Sequence, residues 1–102
     1  MAKLVAMYKH PKDTAAFDAY YMSKHLPLAK TVPGLRGYDI STGPVAAPGG
    51  DSGYYLIATL HFDSLAVIEA ALGSPEGQAT AGDLANFADG GVEIVMFDAK
   101  DV

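Results

Sequence analysis

The sequence predicts an α+β domain whose elements run strand, helix, strand, strand, helix, strand. Three observations carry this. Four short apolar segments are bounded by Pro, Gly or Asp. Two longer segments sit behind Asp or Ser caps, the first with apolar residues at helical spacing. No linker, repeat or low-complexity tract divides the 102 residues, a length suited to one core. Residues 1–102 therefore read as a single domain.

Lys3 to Lys9 (KLVAMYK) is the first strand, stopped by His10-Pro11. Asp13 caps a helix expected from Thr14 to about Thr31. Phe17, Tyr21, His25 and Leu28 follow at steps of four, four and three, along one face of it. Pro33-Gly34 turns the chain into a weaker strand, Leu35 to Ser41. Thr42 to Gly53 (TGPVAAPGGDSG) has many breakers and no periodicity, and reads as a long hairpin connection.

Tyr54 to Phe62 (YYLIATLHF) is the clearest strand. Asp63-Ser64 caps a short helix, Leu65 to Leu72. Ser74-Pro75-Glu76 starts another, expected to reach about Phe87: Ser at the cap, Pro in the first turn, Glu beside it. Gly90-Gly91 precedes the last strand, Val92 to Asp98. This order folds as a ferredoxin-like βαββαβ unit, a four-stranded antiparallel sheet with the helices on one face.

The strand patterns do not suit a monomer. One face of the third strand carries Tyr54, Leu56, Ala58, Leu60 and Phe62, and the other Tyr55, Ile57, Thr59 and His61. The last strand sets Val92, Ile94 and Met96 against Glu93, Val95 and Phe97. Both faces are substantially apolar, yet helices cover only one. A second sheet on the open face, in a symmetric homodimer, removes the conflict.

Composition narrows the function. The net charge is −5 and no Lys/Arg cluster offsets it, so neither nucleic acid nor an anionic membrane surface is expected as a partner. No apolar run approaches the roughly 20 residues of a bilayer helix. The start, Met1-Ala2-Lys3, lacks a signal-peptide shape and predicts a cytoplasmic protein. There is no cysteine, hence no disulfide or thiolate chemistry. The three His residues form no HxH or HxxxH pair, and no Gly-rich loop opens a helix after a strand, so neither a metal nor another cofactor is expected.

The segment Tyr20 to Ala29 (YYMSKHLPLA) carries the chemistry. Pro27 cannot donate to the Ser23 carbonyl, and it disfavours helical geometry at Leu26. The helix should kink or loosen there, at a cost of about 3 kcal/mol if uncompensated. His25 stands just before the break, on the face of Phe17 and Tyr21. Two roles fit it: an acid or base titrating near neutral pH, or a buried His bonded to a carbonyl that Pro27 frees. Tyr21, one turn earlier, suits either a core position or a hydrogen bond to a ligand oxygen or to His25. His10, at a strand end, reads as a solvated loop residue. His61 lies on the dimer-facing side and suits the interface.

The run KLVAMYK, then FDAYYMSKHLPLAKTVPGLRGYDIS, resembles the EthD family. YYLIATLHFDSLAVIEAALGSPEGQATAGDLANFADGGVEIVMFD is similar to its second half. The His-x-Pro of His25 and Pro27, followed by Pro33-Gly34, is the most specific feature. The resemblance implies a dimeric α+β barrel with a cleft between helix one and the sheet. Its acting pair would be His25 and Tyr21, with Tyr8, Phe17, Leu28, Tyr55 and His61 against a small hydrophobic ligand. It does not imply one reaction, since the superfamily holds cofactor-free oxygenases, isomerases, cyclases, lyases and haem-dependent enzymes. Two functions follow. One is cofactor-free acid–base chemistry of isomerase, lyase or oxygenase type. The other is a non-catalytic binding or accessory protein serving an oxygenase partner, such as an ether-degrading cytochrome P450 system.

Overall fold

The computed structural model describes residues 1–102. Strand β1 (Ala2–Lys9) leads to helix α1 (Thr14–Tyr20), which continues through a π-helical turn (Tyr21–His25) into α2 (Leu26–Ala29). Strand β2 (Gly37–Ile40) follows. A small hairpin comes next, β3 (Ala46–Ala47) and β4 (Gly50–Asp51), then β5 (Tyr54–Phe62). Helices α3 (Leu65–Gly73) and α4 (Pro75–Asp83) meet at Ser74, a short 3₁₀ turn (Leu84–Asn86) ends the helical part, and β6 (Val92–Asp98) closes the chain.

The main sheet is antiparallel in the order β2-β5-β1-β6, as the βαββαβ order requires. The helices begin where the caps stand. Asp13 accepts from the Ala16 N–H, Ser64 from Val67 and Ser74 from Gly77. The segment 42–53 is not wholly irregular. Ala46–Ala47 pairs with Gly50–Asp51 across Pro48-Gly49. The last helical segment is also shorter than expected, since the α-helix stops at Asp83 before the 3₁₀ turn.

One sheet face is buried under the helices, through Leu4, Ala6 and Tyr8 of β1 and Ala58, Leu60 and Phe62 of β5. The register places Ile94 beside Ala6 and Met96 beside Leu4 on that face, and Val95 beside Val5 on the other. Yet β6 is an edge strand. Ile94, Val95, Met96 and Phe97 are 47, 46, 41 and 42% exposed, so apolar side chains of both faces meet solvent there.

Strict alternation fails at one place. Tyr8 pairs with Leu56 and Lys9 with Tyr54, leaving Tyr55 as the extra residue of a β-bulge. Period two alone assigns Tyr55 to the open face. Instead its hydroxyl reaches helix α1, donating to Asp18 at 2.8 Å, and its ring lies 5.4 Å from that of Phe17.

No helix is long and apolar enough to cross a membrane.

Candidate functional site

The π-helical turn is how the chain accommodates Pro27. Proline offers no N–H to Ser23, and the Leu26 N–H reaches back five residues to the Tyr21 carbonyl. The wider turn moves the inner face along by one residue. Phe17, Tyr21, His25 and Ala29 are buried, while Leu28 is only half-buried. Leu28, expected against a ligand, lines neither of the two hollows beside this helix. Its part is played by its carbonyl, which accepts from Thr31 and Thr80.

His25 is 4% exposed. Its Nδ1 lies 3.0 Å from Oδ2 of Asp83, at the end of α4. No freed carbonyl is its partner. Asp83 is bound three times: Tyr20 donates to Oδ1 at 2.6 Å, Asn86 donates to Oδ1 at 2.9 Å, and His25 contacts the other oxygen. Burial disfavours the charged carboxylate. The hydrogen bonds from Tyr20, Asn86 and His25 outweigh it and hold Asp83 below the usual carboxylate range. An ionised carboxylate only accepts, so Nδ1 carries the hydrogen and Nε2 presents a lone pair. Burial pulls the His25 pKa down, and Asp83 opposes that only in part. The imidazole is thus a neutral, oriented acceptor.

The ring of His25 lies 4.6 Å from Phe87 and 5.3 Å from Tyr21. The Tyr21 hydroxyl pairs with that of Tyr38 at 2.5 Å. Burial raises the pKa of Tyr21, Tyr38 and Tyr8, so all three remain neutral hydroxyls.

Two hollows adjoin this group. An apolar cavity of about 230 Å³ lies between the helices and the covered sheet face, lined by His25, Tyr8, Tyr21, Tyr38, Leu60 and Ile94 among others. A wider, more open cleft of about 760 Å³ lies between α1 and the β3–β4 hairpin, lined by His10, Phe17, Asp18, Tyr21 and Tyr55 among others. Tyr21 borders both. The structure therefore brings His25, Tyr21 and Tyr8 to one cavity and places Phe17 and Tyr55 at the neighbouring cleft. His10 packs its ring 5.6 Å from that of Tyr55 at this cleft, although it is otherwise exposed.

His61 lines neither hollow. It stays on the open sheet face, where Nε2 meets Asp39 at 2.8 Å. Asp83, Tyr38 and Phe87 escape a reading of the sequence. The capped start at Ser74 fixes where α4 begins but gives no sign that Asp83 faces helix one. No three His, Asp or Glu side chains converge as a metal site would require.

Comparison with known proteins agrees with this architecture. The model of the EthD domain matches residues 9–91. An uncharacterised 11.0 kDa protein from the thcB–thcC intergenic region of Rhodococcus erythropolis is 39% identical over 102 residues, covering 100% of this chain and 98% of the relative. The crystal structure of an EthD family protein from Bacillus halodurans superposes with a TM-score of 0.88 at 32% identity, over 98% of this chain and 99% of that one. Two more distant structures share the fold alone. A mutant form of SnoaB, a cofactor-independent oxygenase from Streptomyces nogalater, matches at TM-score 0.70 and 15% identity over 99% and 94% of the two chains. A dimeric ferredoxin-like protein of unknown function from Thermobifida fusca matches at 0.69 and 16% over 96% and 90%. With a family model spanning most of its length and a relative of 39% identity along all of it, the chain belongs to the EthD family.

Proposed function

We propose that the protein works as a homodimer in which each copy holds a small, largely apolar metabolite between helix one and the sheet, and that His25 moves a proton on it without a cofactor. One observation carries the reading: Asp83 fixes Nδ1 of a buried His25, whose ring lines an apolar cavity. A carboxylate that orients an imidazole and stabilises its protonated form is the arrangement general-base chemistry needs. Tyr21 and Tyr38 supply hydroxyls beside it. A general acid–base contribution is worth about 10² to 10⁴-fold.

The dimer is supported by the open sheet face. Val5, Met7, Ile57, Val95 and Phe97 form an apolar stripe there, flanked by Lys3, Asp39, Thr59, His61 and Glu93. An apolar centre with a polar rim is the anatomy of a protein interface. The dimeric neighbour from Thermobifida fusca has the same fold.

The test is turnover of small aromatic, carbonyl and ether compounds by the purified protein and by His25→Ala. The variant should stay folded and dimeric and lose at least about a hundredfold in rate. Full turnover by His25→Ala sinks the catalytic role.

A second reading has one observation in its favour. The Rhodococcus relative is encoded between two other genes, as a protein serving their products would be. In that reading the protein binds its ligand for an oxygenase partner and converts nothing itself. Conversion by the protein alone excludes it.

A further inference from the structure

Tyr8 is 2% exposed, and its ring packs 5.5 Å from Phe17, 5.6 Å from Phe87 and 5.7 Å from Tyr21. Its hydroxyl takes no part in the side-chain hydrogen bonds that tie up Tyr20, Tyr21, Tyr38 and Tyr55. Nε2 of His25 likewise has no protein partner, since its only bond is through Nδ1. A sealed, unpartnered polar atom would be costly, and the molecule contains none. The small accessible surface of these two residues must therefore include the Tyr8 hydroxyl and His25 Nε2. Both residues line the same 230 Å³ cavity.

The two atoms are chemically complementary. The neutral Tyr8 hydroxyl donates, and Nε2 accepts because Asp83 keeps the hydrogen on Nδ1. Most of the remaining wall is apolar, through Leu4, Ala6, Ala58, Leu60 and Ile94, with the mutually bonded Tyr21 and Tyr38 hydroxyls and Thr80 as its other polar groups. Its volume exceeds that of an engineered cavity of about 150 Å³ that binds benzene, and falls short of about 300 Å³, where sites for drug-sized ligands begin. The space suits one ring with a short substituent.

We propose that the cavity selects a monocyclic phenol or an enol of similar size, whose oxygen accepts from the Tyr8 hydroxyl while its own O–H donates to Nε2 of His25. This rests on the proposed cavity and names the ligand class for it. If the proton transfers, the O–H bond breaks, the electron pair stays on the ligand oxygen, and the proton forms an N–H bond at Nε2. The resulting imidazolium faces the Asp83 carboxylate, and the ligand oxyanion keeps the Tyr8 hydrogen bond. An ether of the same shape can accept from Tyr8 but has no proton to give His25. An alkylbenzene can do neither.

Isothermal titration of the full chain with 4-ethylphenol, 4-ethylanisole and ethylbenzene tests this. The phenol should bind at least about tenfold more tightly than ethylbenzene, with the ether below the phenol. Tyr8→Phe keeps the ring packing, and circular dichroism checks that it remains folded. It should reduce the phenol-to-ethylbenzene affinity ratio about tenfold. Equal affinity for the three compounds, or an unchanged ratio in Tyr8→Phe, overturns the inference and leaves the cavity reading standing. Failure of all three to bind overturns the cavity reading itself, and this inference with it.

Discussion

Asp83 and His25 stand 58 positions apart, on α4 and at the end of the π-helical turn, and their side chains meet at 3.0 Å. The carboxylate is held by Tyr20 and Asn86 as well, so it is a fixed abutment for the imidazole. The fold thus builds this pair from two helical segments far apart in sequence.

Asp83→Asn should move the His25 titration to lower pH. Burial already lowers this pKa, and the carboxylate is what opposes it. Without that charge, desolvation acts unopposed. Proton-detected NMR of the imidazole nitrogens across a pH series reads the shift. A titration unchanged or raised in Asp83→Asn would show that Asp83 does not tune the ring.

The same shifts set the pH dependence of stability. His25 titrates lower when folded than its ordinary 6.5, so the unfolded chain binds the proton first. Stability should therefore fall as pH drops from about 6.5 through the lower folded value, and level off beneath it. Asp83 is also depressed, so a second loss follows below its ordinary 3.8. Urea melts at a series of pH values check this, with His25→Gln expected to lack the upper step.

Val95→Lys should break the proposed dimer and leave the monomer folded. Val95 is 46% exposed within a single chain, so the charge costs the monomer little. A symmetric interface takes the substitution twice, and self-association should weaken at least about a hundredfold. Sedimentation equilibrium of both forms gives the answer, and an unaltered association constant would place the interface elsewhere.

Gly77→Ala should destabilise by at least about 2 kcal/mol. A Cβ at Gly77 would stand 2.0 Å from the Ala71 carbonyl oxygen, where α4 crosses the end of α3. Gly82→Ala, on the same helix with nothing within 4 Å, should instead raise stability by up to about 1 kcal/mol. Thermal melts of the pair separate a steric effect from helix propensity.

The fold is legible in the sequence because its signals are local. Pro and Gly bound the strands, and Asp13, Ser64 and Ser74 cap helices as their sequence contexts predict. The exposed apolar residues of β6 are legible too, since period two needs no tertiary knowledge. The site is half legible. His25 and Tyr21 share a helical face, but that face then passes to Ala29 because the turn is π-helical, which displaces Leu28. Period two misplaces Tyr55 because a bulge leaves no mark in an alternating apolar strand. Asp83 stays hidden because nothing about an Asp near a helix end reveals which His lies across from it.

The exposed apolar edge of β6 bears on how the protein survives at high concentration. Seven extended residues with no proline and no lysine offer an outer row of backbone groups beside Ile94, Val95, Met96 and Phe97. Such an edge is a template for strand addition by any unfolded chain that meets it. Covering β6 would remove that template, which ties resistance to fibrous aggregation to this one edge.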